Sequence, residues 1–236
     1  MLPTAVTYDS VLAVGAHPDD CEFYAGGTLA GLARAGGRVT LVVCTDGASG
    51  GTEGGAPLVA RRRAEAERAA AELGVAVVVY LGHPDGGLLA DDRLVGGLVG
   101  AIRRTRPALV LGHDPSMLWT QVGDRYHLGH TDHQAAGRGL LAAVYPRAAL
   151  PTFFPEQIAQ GLEPWWVREL WLFDTNEPDY RHDIEATLDA KRAALLHHDS
   201  QNPNGMLIRS AERRAADARA RHGVVSEPFR KMPLGI

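Results

Sequence analysis

The chain has 236 residues, 45% of them hydrophobic, and a formal charge of −4 at pH 7. That length suits one α/β domain with a sizeable core, while the acidic balance argues against bulk nucleic-acid binding, which needs a strongly basic face. No apolar run is long enough to predict a membrane span, and two cysteines, Cys21 and Cys44, are too few for a disulfide framework. With no basic-then-apolar leader pattern, these features predict a cytoplasmic protein.

In chain order, residues 11–14 read as a first buried strand, rich in Val and Leu as a parallel-sheet interior requires. His17-Pro18-Asp19-Asp20-Cys21-Glu22 follows it directly, and residues 28–35 carry helical apolar spacing. Next come a strand at 39–44, a loop at 45–57, a helix at 58–73, a strand at 75–81, a loop at 83–91, a helix at 94–104 and a strand at 108–111. Gly36-Gly37 and Gly74 stop two of the helices. A loop at 113–129 leads to a second cluster, His130-Thr131-Asp132-His133, which opens a helix running to about residue 145. Pro146, Pro151, Pro155 and Pro164 then mark an irregular stretch. A strand at 169–173, a helix at 183–197 and a short helix at 210–221 complete the reading.

Strands alternating with helices predict a Rossmann-like three-layer α/β/α sandwich with a mostly parallel sheet. We expect a single domain over residues 1–236, with the metal motifs in 1–145 and residues 146–236 completing the sheet and rim. The three loops all follow strands, so they should crowd the rim that carries His17.

The first cluster offers an imidazole and carboxylates at a strand end, where α/β sheets bind ligands. His17 and Asp20, three positions apart, can chelate one ion from a single turn, and His133 can supply a third ligand. A catalytic zinc site uses three protein ligands and leaves a position for water. Iron, cobalt and manganese accept the same ligands. Asp19, beside a ligand, is placed to take a proton from that water. Of His130 and His133, one would bind metal while the other, protonated, faces a developing oxyanion. Asp132 would orient His130 and raise its pKa. The competing reading makes Asp19 and Asp20 helix caps and the histidines surface polar groups. The placement of both clusters at strand-to-helix transitions weighs against it.

At these residues the chain resembles the PIG-L/LmbE family of zinc-dependent N-acetylglucosaminyl deacetylases. The family's His-Pro-Asp-Asp-x-Glu matches residues 17–22 and its His-x-Asp-His matches residues 130–133. The resemblance implies His17, Asp20 and His133 as zinc ligands, Asp19 as general base, and His130 as oxyanion stabiliser held by Asp132. It further implies Arg62, in the pattern Arg62-x-x-Glu65, and Asp85, in Leu81-Gly82-His83-Pro84-Asp85-Gly86, as substrate contacts. His198-Asp199-Ser200-Gln201 is similar to a late His-x-Ser-Gln element. The chain departs from some members at Ala48, where they carry a glutamate, and at Leu128, where sugar deacetylases carry a tyrosine; Tyr126 is two positions off.

Other signals are weaker. Gly47-Ala48-Ser49-Gly50-Gly51 fits a nucleophile elbow, but glycines and Pro57 delay the helix that an elbow needs, so a substrate loop is expected instead. Cys21 and Cys44 read as packing residues. A dinucleotide is disfavoured, because Pro18 and two carboxylates stand where a glycine-rich phosphate loop would be. Trp165, Trp166, Trp171, Phe153 and Phe154 read as core or a subunit contact, compatible with a homo-oligomer. His113 reads as a structural rim residue. The sequence therefore points to a hydrolase releasing acetate from a GlcNAc-containing small molecule, with no nucleic-acid or membrane partner. The alternatives are an amidase on another acyl amide, such as a thiol conjugate, and a non-catalytic metal-binding module.

Overall fold

A computed structural model describes residues 7–51 and 54–235. Residues 52 and 53 of the 45–57 loop lie outside the described residues. The elements are β1 (Ser10–Gly15), α1 (Asp20–Arg34), β2 (Arg38–Thr45), α2 (Ala56–Glu72), β3 (Val77–His83), α3 (Asp92–Thr105) and β4 (Leu109–His113). They continue with the hairpin β5 (Trp119–Val122) and β6 (Arg125–Leu128), α4 (Thr131–Ala142), α5 (Pro155–Ala159), β7 (Glu169–Phe173) and β8 (Tyr180–Asp183). The chain closes with α6 (Leu188–Leu196), α7 (Met206–His222) and β9 (Ser226–Pro233).

One seven-stranded sheet has the order β3-β2-β1-β4-β7-β9-β8. Its first five strands are parallel and β9 runs antiparallel between β7 and β8. Alternate residues of each central strand enter different cores, because side chains in a strand point to opposite faces. Leu12 and Val14 pack with Leu94, Leu98 and Ile102 of α3 and Leu140 of α4. Val11 and Ala13 pack with Leu29 of α1, Ala69 and Ala70 of α2 and Ala194 of α6. These two cores make the three-layer sandwich that the strand–helix alternation predicts. Cys21 and Cys44 are buried in it, and Trp171 is core. Trp165 donates from its indole to the Pro107 carbonyl, and Trp166 stays partly exposed against Tyr145.

Several elements differ from the sequence reading. α1 begins at Asp20 rather than 28, because its first half uses Ala25, Gly26 and Gly27 where apolar periodicity is silent. Gly27 is required there, since a Cβ would lie 2.7 Å from Ile184. The predicted helix at 183–197 divides into the end of β8, a 3₁₀ turn and α6. The predicted loop at 113–129 contains the β5–β6 hairpin. β9, Ser-Glu-Pro-Phe-Arg-Lys-Met-Pro, escapes detection because prolines and charges hide its ladder from a propensity reading. No helix among the described residues is long and apolar enough to cross a membrane.

Candidate active site

The sheet order reverses between β1 and β4: the chain winds from β1 outward to β3, then crosses to β4 on the other side. Such a switch point opens a crevice at the carboxyl ends of the strands. His17 follows β1, Asp46 follows β2, Asp85 follows β3, His113 ends β4 and Asp174 follows β7, so five parallel strands deliver one polar side chain each to one rim. All three sequence-predicted loops reach it. Ser49 donates its amide to Asp85 (2.9 Å) and Gly86 donates its amide to Asp132 (2.7 Å).

Asp20 is the hub. Its Oδ2 accepts from the His17 amide (2.7 Å) and from His113 Nε2 (3.0 Å), which leaves Oδ1 facing His133 Nε2 at 3.2 Å. His133 Nδ1 donates in turn to Asp174 Oδ2 at 3.3 Å. A carboxylate on one ring nitrogen fixes the orientation of the other, the arrangement common behind metal-binding histidines. His17 Nε2 lies 3.1 Å from Asp85 and 3.4 Å from Asp132. Burial drives the His17 pKa down, but the carboxylates of Asp132, Asp20 and Asp85 outweigh it and push it up to about 12. His133 is likewise penalised by burial yet raised to about 9 by Asp20 and Asp174. Asp20, despite the cost of burial, is held well below the carboxylate range by His133 and His113. The pocket is thus built to hold positive charge.

Asp19 occupies the N-cap position of α1 but makes no side-chain cap hydrogen bond. Its carboxylate instead accepts from Arg62 Nη2 at 3.2 Å. Arg62 is almost fully buried; it also donates to the Gly47 carbonyl and lies 3.7 Å from Asp85. The glycine loop closes directly on this guanidinium, since a Cβ at Gly50 would come within 2.4 Å of Arg62 Nη1. From the far side, Gln201 donates to the Gly50 carbonyl (2.7 Å), and Ser200 hydrogen-bonds Glu65, one turn after Arg62. His198 is buried behind them, 3.9 Å from Glu22. Arg62 and Asp85 line the cavity, but both are engaged by protein partners. Ser49 lies on the loop wall, hydrogen-bonded to Asp85.

Asp132 does not hold His130 with its carboxylate, contrary to the sequence reading. Early in α4, that carboxylate accepts the Gly86 and Leu88 amides and faces His17. His130 is the N-cap, and its Nδ1 accepts the Asp132 backbone N–H at 3.1 Å. The ring therefore keeps its proton on Nε2. Burial, with the neighbouring His17 and His133, lowers its pKa rather than raising it. A neutral imidazole at a helix N-terminus, with its free N–H outward, replaces the protonated donor expected from the sequence.

Sequence reasoning undervalued His113, which is buried, stacked on His133 (3.9 Å between ring centroids) and bonded to Asp20. It missed Asp174, whose φ of 52° marks a strained non-glycine position. Its only signal was its place directly after the last parallel strand.

The donor set fits a divalent ion. Three groups of nitrogen and carboxylate-oxygen atoms each fall within 4.8 Å: His17, His130 and His133; Asp20, His113 and His133; and His17, Asp85 and Asp132. Imidazole with carboxylate is zinc-compatible chemistry. A cavity of about 340 Å³, lined by His17, Asp19, Asp20, Arg62, His130 and His133, opens on one side of this cluster. A second, of about 370 Å³, shares His130 and His133 and reaches Tyr24, Thr120, His127 and Asn176.

The profile of the PIG-L family, described as GlcNAc-PI de-N-acetylase, matches residues 12–144. The chain belongs to that family, and with it to the hydrolases that cleave N-acetyl amides. It is 34% identical over 197 residues to the diacetylchitobiose deacetylase of Thermococcus kodakarensis, covering 82% of this chain and 70% of that one. It is 32% identical over 245 residues to the 1D-myo-inositol 2-acetamido-2-deoxy-alpha-D-glucopyranoside deacetylase of Rhodococcus erythropolis, covering 81% and 80%. The solved N,N'-diacetylchitobiose deacetylase of Pyrococcus horikoshii superposes with a TM-score of 0.85 at 30% identity, over 96% of this chain and 84% of that one.

Proposed function

We propose that the protein is a zinc-dependent deacetylase that releases acetate from the acetamido group of a GlcNAc-containing small molecule. The observation that carries this reading is the Asp19 carboxylate: at the N-cap it makes no capping hydrogen bond, is tethered by buried Arg62, and lines the same cavity as His17, Asp20 and His133. The names of the relatives support the substrate class.

His17, Asp20 and His133 would hold the metal, with Asp85 and Asp132 steadying His17, His113 steadying Asp20 and Asp174 steadying His133. When bound, zinc supplies Lewis-acid polarisation and brings water towards a neutral pKa. Asp19 takes the proton of the attacking water and returns it to the departing amine. Its tie to Arg62 engages Oδ1 and leaves Oδ2 to carry that proton. His130 donates its Nε2 proton in a hydrogen bond to the oxygen on which negative charge develops, needing no change of its own charge. Arg62 and Asp85, at the wall, would meet the sugar through whatever hydrogen-bonding capacity their protein partners leave free.

The test is primary-amine release from N,N'-diacetylchitobiose and a GlcNAc-inositol, before and after chelation. Release should stop with the metal stripped and return with zinc. Asp19→Asn should lower kcat by about a hundredfold or more while the metal content holds. Unchanged turnover in Asp19→Asn, or release that persists after complete metal removal, would overturn the reading.

A further inference from the structure

Beside the cavity that reaches His130 and His133, and sharing Tyr24, Arg214 and Pro228 with it, a cavity of about 150 Å³ is bounded by α1, α6, α7, β8 and β9. Arg181 of β8 and Arg214 and Arg221 of α7 line it. Seven residues apart, the two α7 arginines share one helix face. Neighbouring arginines pair outward, Arg219 with Glu185 and Arg230 with Glu177, but none of the three cavity arginines forms an ion pair with a described carboxylate. Arg214 lies over the rings of Phe23 and Tyr24, at 5.1 and 5.4 Å, which occupies a face of its guanidinium and leaves the N–H edge free.

The acids in the wall do not balance this charge. Glu227 is committed to Lys191 Nζ at 2.6 Å and to the Gly27 and Thr28 amides and the Thr28 hydroxyl. Asp217 alone remains against three guanidinium groups. The wall also holds the Ser226 hydroxyl, on a residue only 7% exposed, and this buried oxygen has no hydrogen-bond partner. A buried, unpaired hydroxyl costs free energy unless something meets it.

We propose that this cavity binds a small oxyanion of the phosphate class, inorganic phosphate or the phosphoryl group of a small phosphomonoester. Arg181, Arg214 and Arg221 supply the charge, and Ser226 donates its hydroxyl. Guanidinium edges match phosphate oxygens two at a time, which lysines do not. At about 30 Å³ per water the space takes roughly five waters, enough for one phosphoryl group with residual hydration. A larger phosphomonoester would leave its organic part at the mouth.

The experiment is calorimetric titration of the full chain with sodium phosphate and, separately, with glucosamine 6-phosphate, at ionic strength fixed with chloride. One saturable site is expected. Arg181→Ala/Arg221→Ala should weaken it at least tenfold, and Arg221→Lys, which keeps the charge but not the fork, should fall between. Ser226→Ala should weaken binding several-fold without lowering Tm in chloride, because the hydroxyl has no partner to lose. Whichever ligand binds more tightly names the source of the anion. The proposal is overturned if neither ligand saturates, or if the double variant binds as the parent does, since phosphate would then be held elsewhere, such as at the catalytic cluster.

Discussion

At the scale of single residues, the cluster at the rim is held by carboxylates that each bridge several partners. Asp20 gives one oxygen to His17 and His113 and the other to His133. His130 spends Nδ1 on a backbone amide, which leaves one N–H for chemistry. Asp174 is the most exposed of these assignments to error, because it must hold φ at 52° to reach His133. Asparagine tolerates that backbone but replaces a charged acceptor by a neutral amide. Asp174→Asn is therefore expected to lower divalent-metal affinity by about 10- to 100-fold with little change in Tm. Competition against a chelating dye measures the first and a melting curve the second. Of this network, His17, Asp19 and Asp20 were legible because they are contiguous in the chain. The second partner of His133 was not, because Asp174 lies 41 positions away and carries no motif.

At the scale of elements, the site depends on how closely α4 approaches the end of β4. Gly137, one turn after His133, lies against the chain there: a Cβ would stand 2.5 Å from the His113 carbonyl and 3.0 Å from Pro115. Both obstacles include backbone, so neither can swing aside. Gly137→Ala should cost about 1–3 kcal/mol from overpacking and shift α4 enough to spoil the spacing of His133 from Asp20. The expected outcome is a lower Tm together with weaker retention of a bound divalent metal on dialysis. A fall in stability with full metal retention would mean that the helix moves without its first turn. The clamp on the other wall, Gln201 to Gly50 and Ser200 to Glu65, follows the same logic, for a turn after α6 sets the position of a loop after β2.

At the scale of the whole molecule, β9 ties the C-terminal segment into the parallel sheet. Glu169 on β7 receives Lys231 of β9 at 2.8 Å, the Trp171 indole and the Tyr8 hydroxyl. Burial works to raise the Glu169 pKa, but these donors outweigh it and lower the value. A carboxylate whose folded pKa is depressed contributes stability above its unfolded pKa, about 4.3 for Glu, and loses it as pH falls through the folded value. Denaturation midpoints should therefore fall as the pH drops below about 4, and Glu169→Gln should show a shallower decline over that window. Parallel slopes for the two proteins would assign the acid sensitivity to other carboxylates. The buried Lys191–Glu227 pair links the same strand to α1 and α6.

The sequence by itself determined the alternation of buried strands and helices, and with it the three-layer parallel architecture. Those signals are local: runs of Val and Leu, helical spacing and glycine stops. It also marked the two His/Asp clusters that meet at the rim, since each is a short contiguous run at a strand-to-helix junction. Only the tertiary structure decided which oxygen of Asp132 meets which partner, that His130 is a neutral cap, that Arg62 bonds Asp19, and that His113 and Asp174 stand behind Asp20 and His133. The same holds for β8 and β9, whose residues have little strand preference of their own, and for the β5–β6 hairpin, whose strands are only four residues long. Each of these outcomes depends on distances between segments tens to hundreds of residues apart, fixed when two cores close on the two faces of one sheet.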